Sequence, residues 1–279
     1  MSFLDNLRGL ILLEPSAGKE CFSAACGSNV GKKRKNNEDN FYFDGSFMNS
    51  DNNGTPQILT KDGTNFEVAM NKGSFYAVFD GMGGGEYGEV AAFTAAEETH
   101  RFFENEKAID PHDVTISLQR YCNRANEKVV EAGYNLGVEN MGSTLAGLYF
   151  YDGCAWACNL GDSRCFLYRN GDLWQISEDH TDALEMERNG ITGRKPYLTQ
   201  YLGVDPKELQ LVPHVESYSV MEGDIFLACT DGLTDMVSEK KIASILEECS
   251  TPESAVEELI RKALAAGGRD NVTVIVCRF

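Results

Sequence analysis

Phe75-Tyr76-Ala77-Val78-Phe79-Asp80-Gly81-Met82-Gly83-Gly84-Gly85 is the stretch on which the reading of this chain turns. Its first five residues are apolar and rich in aromatic and branched side chains, which predicts a buried strand. A carboxylate ends the run and glycines follow at once. Asp80 is poorly placed there for packing and well placed for holding a cation. Three other aspartates have similar settings: Asp162 in Gly161-Asp162-Ser163-Arg164, Asp231 in Thr230-Asp231-Gly232-Leu233, and Asp270 in Arg269-Asp270-Asn271. The repeated order of strand, aspartate and turn predicts carboxylates gathered at one end of a sheet around metal.

On either side of that stretch the hydrophobic period changes. Strands are expected at 20–31 and 39–44 around the polar turn Lys32-Lys33-Arg34-Lys35-Asn36-Asn37. The Asp-, Asn- and Gly-rich segment 45–72 is expected as a loop or hairpin insertion. A helix is expected from Glu86 to Phe103. A second is expected to about Ala132, with Asp110 as N-cap and Pro111 at the first position. Strands are expected at Thr144–Phe150, Ala155–Leu160, Arg164–Tyr168 and Leu173–Ile176, with Asp152-Gly153 and Asn170-Gly171 as hairpin turns. Residues 180–215 look irregular, with a short helix near 181–189. A strand at Asp224–Cys229, helices at 239–248 and 252–266 and a closing strand at Asn271–Arg278 complete the chain. No repeat or linker divides it, so one α+β domain over 1–279 is expected, with sheet packed on sheet and helices outside.

Composition narrows the function. The net charge is −18, from 25 basic and 43 acidic residues, which disfavours a nucleic-acid partner and suits a site that attracts cations. The nine cysteines are an odd number with no Cys-x-x-Cys pair, and several lie in apolar runs. Reduced, mostly buried thiols in a cytoplasmic protein are the expectation. No segment reaches the roughly 18–20 apolar residues of a membrane span, so no membrane partner is expected. The apolar stretch in residues 1–14 is too short for a signal peptide and is expected as a docked helix in an N-terminal extension, residues 1–20. Trp156 and Trp174 are expected in the core, and the four histidines are scattered, with His180 alone beside the segment of interest.

Carboxylates, carbonyls and water suit hard divalent ions such as Mg²⁺ and Mn²⁺. Two such ions about 3.5–4 Å apart polarise a phosphoryl group and activate water. Asp80 is the bridging candidate, the Gly81 carbonyl has no side chain beside it, and Asp231 and Asp270 complete one metal. Glu38-Asp39 add a further acidic site. Arg34, five residues before Asp39, marks where a phosphate would sit, because a guanidinium grips phosphate by two parallel hydrogen bonds.

Six motifs now stand in order: Arg34-x-x-Asn37-Glu38-Asp39, Asp80-Gly81-Met82-Gly83-Gly84, Met141-Gly142-Ser143-Thr144, Gly161-Asp162-Ser163-Arg164, Asp231-Gly232-Leu233-x-Asp235 and Arg269-Asp270-Asn271-x-Thr273. Over residues 20–279 the chain resembles the metal-dependent Ser/Thr protein phosphatases of the PPM (type 2C) family, bacterial branch. The resemblance implies two central, mostly antiparallel sheets packed face to face and flanked by helix pairs. It implies hydrolysis of phosphoserine and phosphothreonine by a metal-bridging hydroxide, without a phosphoenzyme. Asp80 would bridge two Mn²⁺ or Mg²⁺ ions, with Gly81, Asp231 and Asp270 as further ligands. Asp39 and Glu38 would act through water, Asn271 would back the ligands, and Asp162 and Asp235 would hold a third ion. Arg34 would bind the substrate phosphate, and Met141–Thr144 would pack behind the site. Phosphorylated proteins are the implied partners, a Ser/Thr kinase among them, and a monomer is expected.

Two departures are visible. Met82 stands where some family members have a histidine that could protonate the leaving group. The flap between His180 and Gly203 is short for the bacterial branch. One rival is a dinucleotide-binding turn, since Gly83-x-Gly85-x-x-Gly88 follows a strand and opens a helix. Asp80 directly before those glycines would repel a pyrophosphate, and the chain continues into a second helix where the ribose-binding strand should come. A fold that has lost catalysis should lack metal aspartates, and a two-metal nuclease should have a basic groove. Neither fits these residues.

Overall fold

Strand-length apolar runs separated by tight turns pair into two antiparallel sheets. A computed structural model describes residues 22–49, 57–61, 73–82, 87–104, 108–138 and 140–279. The expected N-terminal helix, the glycines 83–85 and most of the 45–72 insertion lie outside the described residues. The strands are β1 (Ser23–Asn29), β2 (Asp39–Phe43), β3 (Gln57–Lys61), β4 (Ser74–Met82), β5 (Gly142–Ser143), β6 (Leu145–Tyr151), β7 (Cys154–Leu160), β8 (Arg164–Arg169), β9 (Asp172–Gln175), β10 (His214–Ser219), β11 (Ile225–Cys229) and β12 (Val272–Arg278). One sheet has the order β3, β1, β12, β11, β8, β9. The other has the order β10, β7, β6, β4, β2, with β5 paired to the end of β4. The described helices are α1 (Gly88–Phe103), α2 (Val114–Leu136), α3 (Ala183–Asn189), α4 (Asp231–Thr234), α5 (Glu239–Glu248) and α6 (Pro252–Ala265).

Both faces of each sheet are covered, which is why the central strands read as continuous apolar runs. In β4, Tyr76 and Val78 point between the sheets, where they meet Phe150, Phe226 and Ile275. Phe75, Ala77 and Phe79 point the other way, onto Ala91, Ala95, Leu118 and Tyr121 of α1 and α2. In β12, Ile275 and Cys277 face the sheet interface. Val272, Val274 and Val276 face Ile242, Leu246 and Leu259 of α5 and α6. The result is the expected α-β-β-α sandwich. Asp152-Gly153 (φ 47° and 71°) and Asn170-Gly171 (φ 55° and 90°) are left-handed at both positions, as two-residue hairpin turns require.

Four expectations need correction. The second helix starts at Val114, not Pro111: Asp113 is the N-cap and accepts from Ile116 N at 3.0 Å. Asp110 instead closes the preceding turn, its side chain accepting from His112 N and its carbonyl from Asp113 N. Gln57–Lys61 is an edge strand on β1 rather than loop or local hairpin. His214–Ser219 is a strand on β7, although it begins within a segment that reads as irregular. Trp156 is only half-buried, packed against the α1–α2 side, and Trp174 is half-buried too. The eight described cysteines are free thiols, and no described helix is long and apolar enough to cross a membrane.

Removing an N-cap acceptor leaves an orphan backbone donor and costs about 1 kcal/mol. Asp113→Ala should lower the urea midpoint accordingly. An unchanged midpoint would mean that Asp113 is not the cap.

Candidate metal centre

The antiparallel register of β2 and β4 sets Asp39 opposite Asp80 at one end of a sheet. The other sheet brings Thr230, which follows β11, and Thr273 of β12 to the same place. Asp39 Oδ2 accepts from Thr230 Oγ1 at 2.9 Å and from Thr273 Oγ1 at 2.7 Å. These hydrogen bonds join the two sheets directly beneath the site. They also orient a longer chain: Asn37 Nδ2 donates to Ser28 Oγ, which meets Thr273 Oγ1 at 2.9 Å. Thr230 Oγ1 in turn accepts from Thr273 N at 3.0 Å.

Asp80 is held by its backbone. Its N–H donates to Thr144 Oγ1 at 3.0 Å, and its carbonyl accepts from Thr144 N at 2.9 Å. Thr144 Oγ1 lies 2.7 Å from Ser163 Oγ, next to Asp162. The Met141–Thr144 segment thus supports the aspartates from behind. Gly81 is required on steric grounds: a Cβ there would lie 2.0 Å from the Gly88 carbonyl oxygen and 2.5 Å from that of Glu38. A Cβ at Gly232 would lie 1.8 Å from the Asn271 carbonyl oxygen. Asp231 and Asp270 are therefore brought together by a backbone contact that only glycine permits.

Asn271 fixes the loop that carries Arg34. Its Oδ1 accepts from Glu38 N at 2.7 Å, and its Nδ2 donates to the carbonyls of Val30 and Asn36. Arg34 Nη2 donates to Asp270 Oδ2 at 2.7 Å and Nη1 lies 3.9 Å from Glu38 Oε2. Arg34 is thus on the rim, against the carboxylates. His180 has a supporting role: its Nδ1 accepts from Gly161 N at 3.2 Å, and burial pushes its pKa down, keeping that nitrogen unprotonated.

Crowding of carboxylates dominates the electrostatics. Burial pushes Asp80 well above the usual carboxylate range, reinforced by Asp231, Asp39, Asp162 and Asp270. Burial raises Asp39 to about 8 despite the two threonine hydroxyls, with Asp231 and Asp270 adding to the rise. Asp162 is pushed to about 6 by burial and Asp231, against the pull of Lys195. Among the described residues no three acids, histidines or cysteines close on one point as a finished metal cage. Two observations nevertheless fit a hard divalent ion. Asp39 Oδ1 and Asp231 Oδ1 are buried with no hydrogen-bond partner among the described residues. The neighbouring groups are oxygen donors whose mutual repulsion a cation would relieve.

The structure therefore brings Asp39, Asp80, Asp162, Asp231 and Asp270 together, with Arg34 and Glu38 at the rim. Asp235 joins them through Lys195, which also contacts Asp231. Sequence reasoning missed Lys195, which no local signal marks. It also missed the roles of Thr230 and Thr273, although both lie within the motifs.

A family model for Protein phosphatase 2C matches residues 56–266. The chain belongs to that family. It is 30% identical over 258 residues to the serine/threonine phosphatase Stp of Listeria monocytogenes, covering 88% of this chain and 91% of that protein. The solved structure of PppA from Pseudomonas aeruginosa matches with a TM-score of 0.74 and 27% identity, covering 93% of this chain and 98% of that one. The catalytic domain of the phosphatase PstP in complex with two manganese ions matches with a TM-score of 0.71 and 25% identity, covering 92% and 98%. This chain is a metal-dependent Ser/Thr protein phosphatase that uses Mn²⁺ or Mg²⁺ and acts on phosphoproteins. Membership of that family leaves no support for the dinucleotide-binding reading of the sequence.

The raised Asp39 pKa has a sign that can be tested. In metal-free protein the fold keeps Asp39 protonated up to about pH 8, whereas an unfolded Asp ionises near pH 4. Stability is thus fully present below pH 4 and falls as pH rises through 8. In EDTA, Tm should drop by a few degrees between pH 6 and 8.5, since about 1 kcal/mol moves Tm by roughly 2–4 °C in a domain of this size. Asp39→Asn should flatten the drop, and Mn²⁺ should reverse it in the wild type. A metal-free Tm that climbs across this range would contradict the assignment.

Proposed function

We propose that Asp80, the Gly81 carbonyl, Asp231 and Asp270 would hold two divalent ions, Asp80 standing at the centre of the carboxylate cluster. The single observation that carries this is the Asp39–Asp80 pair at the meeting of the sheets, with unpartnered carboxylate oxygens on Asp39 and Asp231. Asp39 has one oxygen tied to two threonines, so Oδ1 is the oxygen left to hold water beside the ions. Glu38 stands on the same side and Asn271 holds its backbone. When bound, the ions supply a Lewis acid for the phosphoryl oxygens and lower the pKa of the attacking water toward 7.

The nucleophile in this proposal is water. The hydroxyls nearest the carboxylates belong to Thr144, Ser163, Thr230 and Thr273, all buried and already hydrogen-bonded. None can reach a bound phosphoprotein to form a phosphoenzyme. Arg34 leaves Asp270 and grips the phosphate, neutralising its oxygens in both the ground state and the transition state. Met82 has no proton to give, so the leaving serine or threonine oxygen takes one from water. The same proposal covers a single phosphatase domain over residues 1–279, supported by a structural match across 93% of the chain. It acts as a cytoplasmic monomer on phosphorylated proteins, a Ser/Thr kinase among them.

Phosphothreonine-peptide hydrolysis tests the assignments. Asp80→Asn and Asp231→Asn should lower kcat by about a hundredfold or more with the fold intact, because the lost ligands serve transition-state charge. Arg34→Ala should act mainly on KM. Near-normal turnover by either aspartate variant, or a fall in kcat alone for Arg34→Ala, would refute the corresponding role.

A further inference from the structure

A lysine from the flap reaches into the carboxylate cluster. Lys195 lies between α3 and β10, and its Nζ contacts Asp231 Oδ2. It is 3.3 Å from Asp235 Oδ2 and 3.9 Å from Asp162 Oδ2. The three aspartates come from separate places, the β7–β8 turn and the two ends of α4. Their carboxylates converge on one ammonium group.

The flap delivers this lysine by anchoring residues on either side of it, Arg194 and Tyr197. Arg194 pairs with Asp182, Nη2 to Oδ2 at 2.5 Å, and its guanidinium lies 4.0 Å from the centre of the Tyr197 ring. Tyr197 N donates to the other oxygen of Asp182 at 2.7 Å. Pro196 restricts the backbone between them. Thr199 N donates to the His180 carbonyl, and Thr181 bridges Leu198. Lys195 therefore projects from a braced turn onto the site. Burial disfavours its charge, but Asp231, Asp162 and Asp235 outweigh that and hold it protonated.

We propose that Lys195 is a tethered cation that occupies the outer carboxylate position of Asp162 and Asp235 in place of a divalent ion. The inference rests on the proposed metal role of Asp80 and Asp231. An ammonium group and a divalent ion cannot share these oxygens. Like charges about 4 Å apart repel by well above thermal energy at the effective dielectric of a protein surface. Asp231 is shared between Lys195 and the proposed ion site, so bound ions would compete for it and leave Lys195 to Asp162 and Asp235. The flap is then tied to the metal centre by a charge belonging to the chain itself, and metal loading and flap position are coupled.

Mn²⁺ binding, counted by calorimetry and by the electron paramagnetic resonance of free Mn²⁺, tests this without reference to turnover. Wild type and Lys195→Arg should bind two ions. Lys195→Met keeps the length of the side chain and removes its charge, and it should bind a third ion or tighten the weakest site by about tenfold. Adding Asp235→Asn to Lys195→Met should abolish that gain. Equal ion counts and affinities in wild type and Lys195→Met would overturn the role of Lys195 alone, as would three ions in the wild type. Failure of the wild type to bind Mn²⁺ at all would overturn the metal centre with it.

Discussion

Two threonine hydroxyls donating to one buried carboxylate join the sheets of this protein. Thr273 and Thr230, the latter just past the end of β11, are on the side of one sheet and Asp39 is in the other, and their hydrogen bonds cross between the layers at 2.7 and 2.9 Å. An unpaired carboxylate at such a place would carry a large desolvation penalty. Two hydroxyl donors offset part of it and fix which oxygen remains open. The burial that makes Asp39 costly in the absence of a cation is the same burial that makes the site attract one. Stability and chemistry are opposed in the empty site and aligned in the loaded one.

Close backbone approach is the second constraint. Gly81 lies against the Gly88 and Glu38 carbonyls, and Gly232 against that of Asn271. Each contact brings an aspartate of one element beside a residue of another, at a spacing that a Cβ would forbid. The side chains therefore converge through the packing of turns, with Asn271 bracing the Arg34 loop by three hydrogen bonds. The flap adds an anchored charge of opposite sign. Lys195 balances carboxylates that β7, β8 and α4 place at the edge of the site.

Much of this was legible in the linear order of residues. Strand-then-aspartate turns, Asp-Gly and Asn-Gly hairpins, and period changes marked most of the elements and nearly all of the acidic site. The failures have physical causes. Asp110-Pro111 imitates a helix start, but the Asp110 side chain and carbonyl are used by a turn, so Asp113 caps the helix. β10 carries Glu216 and two serines among few strongly apolar positions, and its strand character comes from pairing with β7. β3 is likewise an edge strand defined by its partner β1.

The sequence by itself determined which residues could hold metal and phosphate, because residue type, strand period and turn chemistry are local properties. It also determined the sandwich, since apolar runs of strand length must be covered on both faces. Only the tertiary structure decided which oxygen of Asp39 is free, that Arg34 rests on Asp270, and that Lys195 enters the aspartate cluster. Each of these depends on groups 36 to 236 residues apart in the chain meeting within hydrogen-bonding or ion-pair distance. Such meetings are set by sheet register and the packing of layers, which no local pattern of residues encodes.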